Sequence, residues 1–155
     1  MVVPDSEHSA RAIENLIATY AERVDAGDFP GLGELFADGA FGGQGDMVVR
    51  GREPVEKVFR AMVRVYEDGT PRTKHVTTNI RIEVDEASGT AVSHSYVTVF
   101  QALPDMALQP IVAGRYRDVF ERRKDVWCFV ERKFTSELVG DVSRHLLVGP
   151  DVLAP

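Results

Sequence analysis

The chain holds a single cysteine, Cys128, and so has no internal disulfide. That usage suits a reducing compartment. No apolar run approaches the roughly 18 to 20 residues needed to span a bilayer. There is no basic excess either: 18 Lys and Arg against 24 Asp and Glu give a formal charge of −6. A surface built for nucleic-acid phosphates needs the opposite balance. Residues Met1 to Glu7 lack the basic region and apolar core of a signal peptide. Absent too are HExxH, paired cysteines and close-set ligand spacing, which argues against a built metal site. No glycine motif cradles phosphate, and no nucleophile elbow surrounds a serine. The expectation is a soluble cytoplasmic protein whose partner is neither nucleic acid nor membrane.

What is present is an ordinary globular composition, 44% apolar and 27% charged over 155 residues. That is enough for one domain with a real core, residues 1–155. Residues 1–7 read as an arm, with Ser6 or Ser9 available to cap a helix. Ile13, Leu16, Ile17, Tyr20 and Val24 recur at helical spacing, and Gly27 ends that helix near Ala26. Asp25 falls in its last turn. A short second helix starts at Asp28-Phe29-Pro30-Gly31 and stops at Asp38-Gly39. Two short extended pieces follow, Ala40–Gln44 and Met47–Arg50, joined at Gly45-Asp46. Val55, Val58, Phe59, Met62, Val63 and Tyr66 predict a third helix from Glu53 to Glu67.

After residue 70 the period drops from 3.6 to 2. Alternation of Ile80, Ile82 and Val84 with Arg81, Glu83 and Asp85 marks a first strand with His75 at its mouth, and further strands are expected at residues 91–101, 111–123 and 126–138, in antiparallel meander. The tail 139–155 is broken by Gly and Pro but apolar enough to cover something. Helices first and strands later make an α+β fold, a mainly antiparallel sheet with three helices on one side. If the sheet curves strongly, a cone-shaped cavity lies between the layers.

His75 stands at the start of the first long strand. Imidazole exchanges a proton near neutral pH. A carboxylate at the negative end of a helix dipole, such as Asp25, needs a partner. If the two meet, Asp25 accepts a hydrogen bond from Nδ1–H, fixes the tautomer and leaves Nε2 as a base. One parity conflict stands out. His75 shares a strand face with Arg81 and Glu83, so a bulge before Arg81 is required if His75 faces inward.

Several stretches in this order carry a resemblance to a known family. They are Tyr20…Val24-Asp25…Gly27-Asp28, Leu35-Phe36-Ala37-Asp38-Gly39, Gly51-Arg52-Glu53, Thr73…His75…Thr78-Asn79, Gly114-Arg115-Tyr116-Arg117-Asp118 and Val126-Trp127…Arg132. Together the chain resembles the SnoaL-like branch of the nuclear-transport-factor-2-like (NTF2-like) superfamily. That branch includes scytalone dehydratase, bile-acid 7α-dehydratase and hexachlorocyclohexane dehydrochlorinase. Ketosteroid isomerase and the polyketide cyclases are more distant.

The resemblance implies a cofactor-independent lyase or isomerase acting on a small hydrophobic, cyclic polyketide- or steroid-like molecule. Its catalytic residues would be Asp25, His75, Tyr20 and Arg132. Core packing for Tyr20, and an ion pair of Arg132 with Asp25 or a glutamate, stay open as alternatives. Arg132 is expected on one strand face with Cys128, Val130 and Phe134. Expected wall residues are Phe41, Phe59, Val63, Phe100, Met106 and Phe134. His94, Tyr96 and Thr98 are candidates to join them, Thr98 at a position where some members carry an acid. His8 and His145 are expected at the surface. The alternative is a non-catalytic binding or scaffold protein, or the small subunit of a ring-hydroxylating dioxygenase. A homo-oligomer is expected, a trimer ahead of a dimer.

Overall fold

Asp5 accepts the His8 backbone N–H at 2.8 Å and so caps helix α1, Ser6–Asp25. The cap is therefore Asp5 and neither serine, and Ser6 and Glu7 are already helical. The computed structural model describes residues 5–154, so residues 1–4 of the expected arm lie outside the described residues. Ile13, Ile17, Tyr20 and Val24 form the buried stripe of α1. Each aliphatic side chain so buried contributes roughly 1.5–3 kcal/mol. Gly27 has φ +71°, and a Cβ there would run into the carbonyl oxygen of Gly69. Only glycine lets the chain turn sharply enough here to leave Asp25 facing the sheet.

Asp28 caps α2 (Phe29–Leu35) by accepting the Gly31 N–H at 2.9 Å. Strands β1 (Ala40–Gly42) and β2 (Val48–Arg50) form the small hairpin. Helix α3 runs only from Arg52 to Met62. It ends earlier than the apolar spacing predicts, because Val63 leaves the helix to form a bridge with Leu146 of the tail. Tertiary pairing overrides the local pattern at this point.

The long strands are β3 (Thr73–Asp85), β4 (Thr90–Leu103), β5 (Met106–Arg123) and β6 (Val126–Val139). Sheet order is β2-β1-β6-β5-β4-β3, antiparallel throughout except for the β1–β6 pair. The expected α+β architecture holds: three helices pack on one face of a curved, unclosed six-stranded sheet. Strand β5 starts five residues earlier than expected, since the chain turns tightly at Pro104-Asp105 and pairs Met106 back to Leu103.

Register shifts bend this sheet. In β3 the pairing slips between Thr78 and Arg81, where Asn79 has φ +53°. This is the bulge that parity demands. It turns His75 inward while Arg81 and Glu83 face solvent. In β6 the slip falls at Val130. Trp127 and Phe129 therefore point inward before it, and Arg132 and Ser136 after it. Cys128 and Val130 do not share the face of Arg132. Among the described residues no helix is long and apolar enough to cross a membrane.

Candidate active site

Asp25 closes α1 and His75 is the third residue of β3, and the packing of α1 along β3 brings them together. His75 Nδ1 lies 2.6 Å from Asp25 Oδ1, and both side chains are 9% exposed. The His75 backbone N–H donates to Asp25 Oδ2 at 2.8 Å. The Thr73 hydroxyl donates to Oδ1 at 2.9 Å. Burial works to raise the Asp25 carboxyl, but hydrogen bonds from His75 and Thr73 outweigh it and hold the acid below its ordinary range. The carboxylate therefore stays charged, and the imidazole is fixed with Nδ1 as the bonded nitrogen. Nε2 has no protein hydrogen-bond partner among the described residues.

His75 lines a cavity of about 120 Å³ between the helices and the sheet. That volume resembles an engineered apolar cavity that admits benzene. Tyr20, Phe41, Phe59, Val63 and Phe134 line it as expected. Val152 and Leu153, in the short 3-10 turn Pro150–Leu153, help to close it. The apolar tail covers the pocket. Gln44 also lines it, its side-chain oxygen taken by the Ser136 backbone N–H at 2.9 Å.

Tyr20 is enclosed by aromatic rings, stacked with Phe41 and edge-on to Phe36 and Tyr116. Burial raises the Tyr116 hydroxyl to about 12 and pushes Tyr20 well above its ordinary value. Both phenols stay protonated, so neither is a base at neutral pH.

Arg132 does not line the cavity and does not meet Asp25 or a glutamate. It forms a bidentate pair with Asp118, both bonds 2.8 Å and both side chains 0% exposed. Burial works against its charge, but Asp118 outweighs burial and keeps the guanidinium protonated. Its Cζ lies 3.8 Å from the Tyr116 ring centroid and 4.3 Å from that of Tyr20. Arg132 thus supports the pocket floor from beneath.

Five expected wall residues lie elsewhere. His94, Tyr96, Thr98 and Phe100 sit on the opposite face of β4 from Ser93, Ser95, Val97 and Val99. The inner face takes the small serines because Arg132 and Asp118 fill the space beneath; Ser93 donates to Asp118 at 3.2 Å. Met106 is at the β4–β5 turn, away from the pocket.

His145, expected at the surface, is 7% exposed and lines the cavity. Its ring centroid is 6.4 Å from that of His75. Burial first, then His75, depresses it to about 4, with Asp25 opposing. The sequence signal was the apolar Leu146-Leu147-Val148 beside it, which has to be covered by something. Tyr116 was legible as the inward partner of Phe120 on β5 but stood unmarked. Among the described residues no group of three or more His, Cys, Asp or Glu side chains could hold a metal ion.

The SnoaL-like domain model matches residues 6–133. No match is found among functionally curated proteins. A protein of unknown function from Mycobacterium tuberculosis is 24% identical, with 94% of this chain and 83% of that one covered and a TM-score of 0.70. A provisionally assigned scytalone dehydratase from Novosphingobium aromaticivorans is 22% identical, with coverage of 86% and 87% and a TM-score of 0.67. ActVI-ORFA from Streptomyces coelicolor is 16% identical, with coverage of 83% and 97% and a TM-score of 0.68. Identities this low establish shared architecture and leave the chemistry to the site. The chain belongs to the SnoaL-like domain family.

Proposed function

We propose that the protein is a cofactor-independent lyase or isomerase that removes a proton from a small, mostly apolar ring compound. The carrying observation is the 2.6 Å contact of Asp25 with Nδ1 of a histidine that lines a cavity. Nε2 of His75 takes the proton from a carbon made acidic by a neighbouring group. The C–H electron pair forms a double bond as a β-hydroxyl or halide departs, or shifts along the ring in isomerisation. In dehydration the proton on His75 passes to the departing hydroxyl, which leaves as water. Asp25 stabilises the imidazolium in between. Tyr20 and Tyr116 stay protonated and supply donors at the wall.

The alternative is a ligand-binding or scaffold protein that uses the same cavity, and its scaffold form would gain if Arg132 neutralised Asp25 and side chains filled the space. Arg132 is committed to Asp118 and the space is open, which favours the enzyme over a plain scaffold. The reading includes self-association, a trimer ahead of a dimer, motivated by Tyr96 and Leu138, 52% and 71% exposed on the long strands. A monomer by sedimentation velocity would remove that part.

The test is turnover across hydroxylated and halogenated ring compounds. His75→Ala and Asp25→Asn should each lower it by about 10²–10⁴-fold with the fold intact. Unchanged turnover in either variant removes the dyad from the reaction.

A further inference from the structure

The turn before β3 fixes where Thr73 points. Arg72 has φ +57°, its backbone N–H donates to the Thr70 hydroxyl at 3.1 Å, and its carbonyl accepts from the Ala102 N–H at 3.4 Å. Across the ladder Thr73 pairs with Gln101, whose amide holds the Pro71 and Arg144 carbonyls, each at 3.1 Å. The strand therefore starts in one register, and Thr73 falls on the inner face with His75, 3% exposed.

At that burial valine has nearly the same shape and no polar atom to satisfy. A buried hydroxyl costs free energy unless it is hydrogen-bonded, and the bond it makes here is to Asp25 Oδ1 at 2.9 Å. Oδ1 thus serves two donors, Thr73 and the His75 ring, while Oδ2 takes the His75 backbone N–H. Thr73 does not line the cavity that His75 lines. Together with Asp25 it lines a separate, open hollow instead. Its hydroxyl therefore acts on the dyad from outside the walls that a substrate touches.

We propose that Thr73 is a positioning residue: its hydroxyl limits how strongly Asp25 holds the proton of His75, and so keeps Nε2 free as a base at neutral pH. The inference rests on the reading of His75 as the base. A carboxylate beside a histidine favours imidazolium. Imidazolium has no lone pair at Nε2 and takes no proton from carbon. Orienting the ring with a carboxylate alone therefore lowers the share of free base.

A second donor on the same oxygen draws part of its charge away from Nδ1–H and limits that loss. The ring keeps its direction, because the carboxylate also holds the His75 backbone. With valine at position 73, Oδ1 keeps only the imidazole, and the ring stays protonated to higher pH. The other charged and titratable groups around the dyad are His145 in the tail, Tyr116 on β5, and Asp68, Arg72 and Lys74 at the hollow. They are the same in both proteins and do not produce the difference.

The experiment is a pH titration of ¹⁵N-histidine-labelled protein followed by NMR, which needs no substrate. The His75 signals are those lost in His75→Phe. In Thr73→Val the His75 midpoint should rise by about one pH unit, roughly a tenfold change in proton affinity. Thr73→Ser, which keeps the hydroxyl, should return it close to the native value. In the Asp25→Asn background Thr73→Val should leave the midpoint where it is, since no carboxylate charge remains to be shared. A merely structural role for Thr73 does not give this pattern. A midpoint unchanged or lowered in Thr73→Val, a rise that persists in the Asp25→Asn background, or a serine variant that behaves like valine overturns the inference. A failure of the lyase reading shows separately, as absent turnover in a protein whose His75 midpoint still responds to Thr73.

Discussion

Asp25 holds His75 at two points, accepting from its ring Nδ1 at 2.6 Å and from its own backbone N–H at 2.8 Å. One carboxylate thus fixes both where the strand starts and which way the imidazole faces. The fold and the chemistry depend on the same contact.

Residues that act as a unit lose activity non-additively. The double variant His75→Ala/Asp25→Asn should be no slower than His75→Ala alone, within about twofold. Steady-state turnover of the two side by side checks this. A double variant slower by another order of magnitude would separate the two residues.

Acid should weaken the fold through His145 before it does so through Asp25. In the unfolded chain His145 protonates near its ordinary 6.5, and in the folded chain only near 4. Between those values the unfolded chain binds more protons, so stability falls as pH falls, by about 3 kcal/mol across the window. Asp25 is depressed, so its contribution is present above its ordinary 3.8 and is lost as pH drops through its lower folded value. Urea denaturation at a series of pH values should show the slope between 6.5 and 4, and His145→Phe should lose most of it.

The Arg132–Asp118 pair should matter for stability. Arg132→Met strands a fully buried carboxylate and should cost about 3–5 kcal/mol. Arg132→Met with Asp118→Leu removes both charges and should cost clearly less. Denaturant midpoints of the two variants decide the point.

Thr98 and Met106 lie outside the pocket, so Thr98→Ala and Met106→Ala should leave turnover within about twofold of the native protein. A tenfold loss in either, with the fold intact, would return that face of β4 to the site.

Helix positions were legible because Ile13, Ile17, Tyr20 and Val24 repeat at 3.6 residues, and Gly27 marks the stop. His75 and Asp25 were legible through the resemblance and through the cost of a helix-end carboxylate. The faces of β4 were not. Alternation gives two sets of residues without saying which is inward, and the aromatic set Tyr96 and Phe100 looks the more core-like. Burial went instead to Ser93 and Ser95, whose small size leaves room for a charged pair contributed by β5 and β6. Bulges hide in the same way. The one in β3 could be required from the conflict between His75 and Arg81, whereas the one at Val130 created no visible conflict. His145 depends on a tail folding back over α3, a long-range contact with no local period.

The most direct test follows deuterium uptake from D₂O into the carbon next to the carbonyl of hydroxylated ring ketones. The native protein should catalyse it, and His75→Ala should reduce the rate by about 10²-fold or more. Equal uptake with and without the imidazole would contradict the account.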